Sequence, residues 1–145
     1  TSVFNIEVRV ATNNKPYIME LTPRGGGNRL CEMLRYATGV DMITDSVRAA
    51  LGMSIEEVES WSYNGHWAEI MLHSYQDGIF HELEISDEVK PYVRDLDLWV
   101  KSGDEIHAFS SARYAIGSLI LCFPTEEMML EKLNDQQSWL KVNVE

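Results

Sequence analysis

From residue 3 the chain alternates cleanly, with Phe4, Ile6, Val8 and Val10 on one face and Asn5, Glu7 and Arg9 on the other. That period of two predicts a half-buried strand over residues 3–10. Asn13 and Asn14, which tolerate positive φ, and Pro16 then interrupt the pattern, and Tyr17 to Thr22 resumes it as a second strand. The short connection predicts an antiparallel hairpin. With Asn13-Asn14 as a two-residue turn, Glu7 faces Glu20 and Asn5 faces Thr22, the two carboxylates sharing one side with Cβ atoms about 5 Å apart. The period then changes: Leu30, Met33, Leu34 and Ala37 have helical spacing and stop at Thr38-Gly39. A second helix follows, with Asp41 as N-cap, Ile43, Val47, Ala50 and Leu51 as its buried stripe, and Gly52 at its end. Ser54 to Glu57 has capping-box form and predicts a short helix through Val58, before Ser60-Trp61.

From Asn64 strands separated by turns replace helices. Trp67 to Tyr75 and Ile79 to Ile85 flank Gln76-Asp77-Gly78 and predict a second hairpin, and Asp95 to Val100, Ile106 to Phe109 and Ser118 to Phe123 continue the strand pattern. Pro124-Thr125 introduces an acidic-started helix from Glu126 to Leu133 with Met129, Leu130 and Leu133 inward, and Leu140 to Val144 closes the chain as a strand. No repeat or linker interrupts this order, so the expected boundary, near residue 60, separates packed lobes: residues 1–60 and a β-rich 61–145 with one helix.

Composition narrows the function classes. An apolar fraction of 45% and a charged fraction of 24% over 145 residues are those of a globular chain able to bury a core. Twelve basic residues against 23 acidic ones give a net charge of -11, which argues against nucleic acid and anionic membrane as partners, since both require clustered positive charge. No apolar run approaches the roughly 18 residues of a membrane span and no signal peptide is visible, so the chain reads as cytoplasmic. Cys31 and Cys122 read as small buried thiols.

Chemistry concentrates between Tyr17 and Asn28, where a carboxylate strand runs through Pro23 into Arg24 and three glycines. Carboxylates opposed on a strand pair need a cation, a proton or full solvation. A hard Mg²⁺ ion suits them, because it takes carboxylate oxygens and completes its shell with water and substrate phosphates. Gly25, Gly26 and Gly27 permit close backbone approach, Asn28 can cap the helix that follows, and that helix N-terminus favours an anion. A plain flexible turn is the other reading, and no Gly-Lys-Ser/Thr follows to make a P-loop. His73 and His81 would pair across the second hairpin, yet two imidazoles do not make a zinc site.

Taken in order, Phe4-Asn5-Ile6-Glu7, then Glu20-Leu21-Thr22-Pro23-Arg24-Gly25-Gly26-Gly27, Ala37-Thr38-Gly39-Val40-Asp41 and Val47-Arg48-Ala49-Ala50-Leu51-Gly52 resemble the C-terminal end of the ATP-grasp fold, in its carbamoyl-phosphate-synthase-like and amino-acid-ligase-like branches. Gly103-Asp104 and Arg113-Tyr114-Ala115-Ile116-Gly117, with the strand and acidic helix after them, resemble the small β-rich unit that follows the grasp. The fold implied is α+β: the C-terminal portion of the ATP-grasp domain and a β-rich lobe.

The resemblance implies that Glu7 and Glu20 hold Mg²⁺ (or Mn²⁺) against the phosphates of ATP. The family's third ligand is usually an asparagine two positions after the second glutamate, where this chain has Thr22. Arg24 matches the arginine that steadies the transferred phosphoryl group, and Gly25, Gly26, Gly27 and Asn28 would bound the phosphate and acceptor pocket. The implied reaction is ATP-dependent activation of a small carboxylate to an acyl phosphate, followed by attack of an amine; a homodimer is an allowed assembly. The N-terminal lobe, the lid and the adenine-reading hinge do not fit into these residues, so the expectation is a C-terminal fragment, inactive alone. A noncatalytic module derived from the same fold and an unrelated metal-binding α+β domain are the competing classes.

Overall fold

A computed structural model describes residues 3–55 and 62–145. The short helix expected from Ser54 to Val58, and Trp61, fall largely on residues 56–61 and lie outside the described residues. The chain divides into two compact units, Thr1–Asn64 and Gly65–Glu145.

The first unit opens with β1 (Asn5–Val10) and β2 (Pro16–Thr22), an antiparallel pair forming a two-stranded sheet. Two helices follow, α1 (Leu30–Thr38) and α2 (Met42–Ala50). Gly39 ends α1 in the left-handed region, with φ 81 and its N–H donating to the Arg35 carbonyl. Asp41 caps α2: its side chain accepts from the Thr44 N–H at 3.0 Å and from the Thr44 hydroxyl at 2.9 Å. These bonds stabilise the ionised form, the backbone one most, and hold the Asp41 carboxyl below its ordinary range.

Two expectations about burial fail in this unit. The apolar face of the hairpin is open, with Ile6 52%, Val10 63% and Ile18 68% exposed, and the α2 stripe is open too, with Val47 57% and Leu51 70% exposed. Ala37 is the buried hydrophobic residue among those described here. A two-stranded hairpin has an edge on both sides and needs a further layer to dry one face. The period-2 and period-3.6 patterns therefore mark faces built for burial that the unit itself does not bury.

The second unit supplies its own core. β3 (His66–Leu72), β7 (Gly117–Phe123) and β5 (Val93–Leu98) form one antiparallel sheet with β7 central, while β4 (Gly78–Ile85) lies between β6 (Glu105–Ile106) and β8 (Leu140–Val144) in the other. Leu119, Ile120 and Leu121 are wholly buried, which is why β7 reads as a continuous apolar run rather than an alternating one. Leu72, Phe80, Phe123 and Trp139 join residues from both sheets into a single cluster. α3 (Glu126–Asn134) packs Met128, Met129 and Leu133 against it, and its N-cap is Thr125, whose hydroxyl accepts from the Met128 N–H. α4 (Gln136–Trp139), not expected from the sequence, buries Trp139 and lets its indole N–H donate to the Lys132 carbonyl at 2.8 Å.

The expected hairpin around Gln76-Asp77-Gly78 does not form. β3 pairs with β7, and β4 pairs with β6 and β8. Asp77 is used elsewhere: its carboxylate accepts from the Ala108 N–H at 3.0 Å, and that bond, with His107 second, lowers its pKa. A parallel bridge between Ser74 and Ala108 takes the place of strand character beyond Ile106. His73 and His81 therefore do not pair; His73 Nδ1 lies 3.0 Å from the Met71 carbonyl and His81 Nε2 lies 3.0 Å from Glu145.

Candidate functional site

The hairpin tip is one residue longer than a two-residue turn. Ala11 N–H donates to the Lys15 carbonyl, Asn14 N–H to the Ala11 carbonyl and Lys15 N–H to the Asn13 side chain, with Asn14 at φ 58. This is a three-residue connection whose last position is left-handed. It pairs Val10 with Pro16, Arg9 with Tyr17 and Val8 with Ile18. Continued unbroken, that register would set Glu7 against Met19. A β-bulge intervenes between Glu7 and Val8 in the ladder, Met19 takes no partner, and the pairing resumes with Glu7 opposite Glu20, Ile6 opposite Leu21 and Asn5 opposite Thr22.

Glu7 and Glu20 are both exposed and face one another on the side away from Ile6 and Leu21. Thr22 lies two positions beyond Glu20 on the same face, and its hydroxyl oxygen is buried without a hydrogen-bond partner among the described residues. An orphaned hydroxyl in such a place costs about 1–3 kcal/mol. Among the described residues no group of three or more His, Cys, Asp or Glu side chains could hold a metal ion. Two carboxylates and a hydroxyl do not make an all-protein cage, but they are the donor set that Mg²⁺ uses when phosphate oxygens and water complete its octahedron. In that sense the residues fit the ion.

After β2 the chain turns through Pro23, with the Arg24 N–H donating to the Thr22 carbonyl. The Arg24 side chain is exposed and gives one N–H to the Gly25 carbonyl at 2.9 Å, its other donors making no hydrogen bond among the described residues. Its planar fork is thus available at the end of the strand that carries Glu20.

The three glycines do different work. A Cβ at Gly25 would collide with the Cys31 sulfur, and one at Gly26 with the Leu30 side chain, whereas at Gly27 nothing lies within 4 Å. Packing against the first turn of α1 thus accounts for two of them, a reason that only the fold displays. Asn28 does not cap the helix. It sits at φ 52, and Arg29 takes the N-cap position without a side-chain cap bond. Arg29 instead clasps Glu32 in the first turn, with Nε and Nη2 at 2.5 and 3.3 Å from its two oxygens. That carboxylate already complements the helix dipole, so anion binding at this terminus would compete with Glu32.

No protein-family model matches this sequence, and no curated protein matches it significantly. Solved structures do. The phosphoribosylglycinamide synthetase of Anaerococcus prevotii superposes with a TM-score of 0.76 at 21% identity, covering 98% of this chain and 37% of that one. An L-amino acid ligase from Bacillus licheniformis gives 0.78 at 17% identity, covering 98% and 36%. This is the C-terminal portion of the ATP-grasp fold. A third ATP-grasp neighbour is the biotin carboxylase domain of Hydrogenobacter thermophilus 2-oxoglutarate carboxylase, a dimer in complex with MgADP, ADP and bicarbonate, with a TM-score of 0.70 at 17% identity, covering 99% of this chain and 32% of that one. The chain thus spans about a third of the length of these ATP-grasp proteins. No helix among the described residues is long and apolar enough to cross a membrane.

Proposed function

We propose that this chain supplies the metal- and phosphate-binding wall of an ATP-dependent carboxylate–amine ligase, acting as part of a longer polypeptide. Residues 1–60 are then the C-terminal part of the ATP-grasp domain and 61–145 its β-rich lobe. The observation that carries the reading is the register of the hairpin: Glu7 stands opposite Glu20 although the turn alone would misalign them. The open apolar face of β1 and β2 gives independent support, because it is built to be covered by a further layer.

In this reading Glu7 and Glu20, with the Thr22 hydroxyl beside them, would hold Mg²⁺ (or Mn²⁺). The ion would supply positive charge against the phosphates of ATP. Arg24 stabilises negative charge on the transferred phosphoryl group, a bidentate task suited to its exposed fork. Gly27 and Asn28 bound the phosphate and acceptor pocket, with Gly25 and Gly26 letting the loop lie flat on α1. A substrate carboxylate oxygen takes the γ-phosphoryl group and ADP leaves; an amine then attacks the acyl carbon and inorganic phosphate leaves. The site of action is cytoplasmic, with a homodimer as the assembly in keeping with the dimeric biotin carboxylase neighbour.

The test is ATP hydrolysis by the longer protein, measured with a panel of carboxylates and amines, with Glu20→Gln as control. Turnover abolished by Glu20→Gln supports the ligase. No turnover with any pair favours a noncatalytic module, a reading to which Thr22 lends weight because a hydroxyl, a weaker metal ligand, stands where the resemblance puts an asparagine carbonyl. The isolated chain is expected to bind ATP weakly and not to turn it over; micromolar affinity by calorimetry would contradict that.

A further inference from the structure

The second unit contains a cavity of about 400 Å³ between the end of β3 and the α4–β8 segment, with no part in the chemistry above. Its volume is in the range of small-molecule sites. Leu72, Leu140 and Val142 give it an apolar floor, and Leu72 is 1% exposed.

The rim on the β3 side is held in place before any ligand arrives. The Ser74 hydroxyl, in a residue 3% exposed, donates to the Gln76 carbonyl at 2.7 Å and accepts from the Gln76 N–H at 3.1 Å. His73 is fixed by three contacts: its ring lies 4.5 Å from that of Phe109 and 5.0 Å edge-on from Tyr75, and Nδ1 is 3.0 Å from the Met71 carbonyl. A carbonyl only accepts, so Nδ1–H is the donor in this contact.

The polar side chains of the lining are neutral apart from one cation. Gln76, Gln136 and Gln137 bring amides, Lys141 brings an ammonium group that makes no ion pair among the described residues, and no carboxylate lines the cavity. In a chain with 23 acidic residues against 12 basic ones, an acid-free lining with a cation at its mouth is a selective arrangement. Glu84 lies opposite Lys141 in the β4–β8 register, but it and Glu82 are approached by the Asn143 amide instead, at 3.4 and 3.5 Å. One positive charge, with amide N–H groups free to turn toward it, above an apolar floor suits a monoanion carrying an apolar body. A phosphate dianion would ask for more cations, and a cation would meet the Lys141 ammonium with only neutral oxygens to hold it.

We infer that this cavity binds a small monocarboxylate with an apolar or aromatic body, its carboxylate at Lys141 and the glutamine amides and its body on Leu72, Leu140 and Val142. Titration of the ¹⁵N-labelled chain with benzoate and with hexanoate tests this. Saturable shifts confined to the amides of residues 73–76 and 136–143 are expected. Lys141→Met, which keeps the aliphatic stem, should weaken benzoate by about tenfold, since it removes a charge-assisted bond, and benzamide should bind the unaltered chain more weakly than benzoate. Gln137→Trp, at an exposed position, should block the mouth and abolish the shifts while the rest of the spectrum is unchanged. Non-saturating shifts, shifts scattered over other elements, or equal affinity in Lys141→Met would overturn the inference.

Discussion

The two units invert the usual relation between pattern and burial. The hairpin unit has the cleaner alternation, yet its apolar side chains stay open, whereas the β-rich unit alternates poorly at β7 and is buried there at every position but Cys122. Alternation reports a strand with two unlike faces, and it does not report whether a partner layer is present. The unit that carries Glu7, Glu20 and Arg24 thus leaves its patterned faces open, and the unit that follows it in sequence buries a core of its own.

The largest test of this contrast is truncation in each unit. Leu119→Ala, in the wholly buried centre of β7, should lower stability by about 3–4 kcal/mol in urea unfolding, while Val8→Ala on the open hairpin face should cost well under about 1 kcal/mol. Similar losses from both would erase the contrast. Hydrogen exchange should order the units likewise, with β1–β2 amides exchanging without global opening and β7 amides only with it.

Next in size comes the glycine loop. Gly25→Ala must displace Cys31 and should destabilise the unit by about 1–3 kcal/mol, with shifted α1 resonances, whereas Gly27→Ala has free space and should leave thermal unfolding unchanged. Loss of ATP turnover in the longer protein on Gly27→Ala would then report on ligand contact alone. A smaller effect of opposite sign is expected for Ser118, a hydroxyl buried in β7 without a partner among the described residues: Ser118→Ala should raise stability by about 1 kcal/mol. Smallest is a local response to acid. The folded-state pKa of Asp41 is depressed, so its cap on α2 is fully present above the unfolded carboxylate pKa and is lost as pH falls through the folded value. Amide exchange at Thr44 and Asp45 should quicken in that acid range, and Asp41→Asn should flatten the response.

Much of the fold was legible because its signals are local. The β1–β2 alternation, the αL glycine after α1, the Asp41 cap and the closing strand each rest on residues within a few positions of one another. The second hairpin was misread for the opposite reason: Gln76-Asp77-Gly78 has turn chemistry, but Asp77 is claimed by Ala108, and pairing with distant β7 and β8 decides the sheets. At the candidate site, the facing of Glu7 and Glu20 was legible although the turn length was not, since two departures from the assumed hairpin cancel. The packing of Gly25 and Gly26 on Cys31 and Leu30, and the orphaned Thr22 hydroxyl, carry no signal in sequence because they depend on where α1 and the strand end lie in space.

That cancellation has a consequence for how such a hairpin can vary. Because Met19 absorbs one residue, the length of the tip and the alignment of the carboxylates are set by separate parts of the strand pair. A one-residue change at the tip can be offset by losing or gaining a bulge, leaving Glu7 and Glu20 face to face. The tip can therefore change by one residue while the carboxylate pair stays in step, like two scales joined by a sliding vernier.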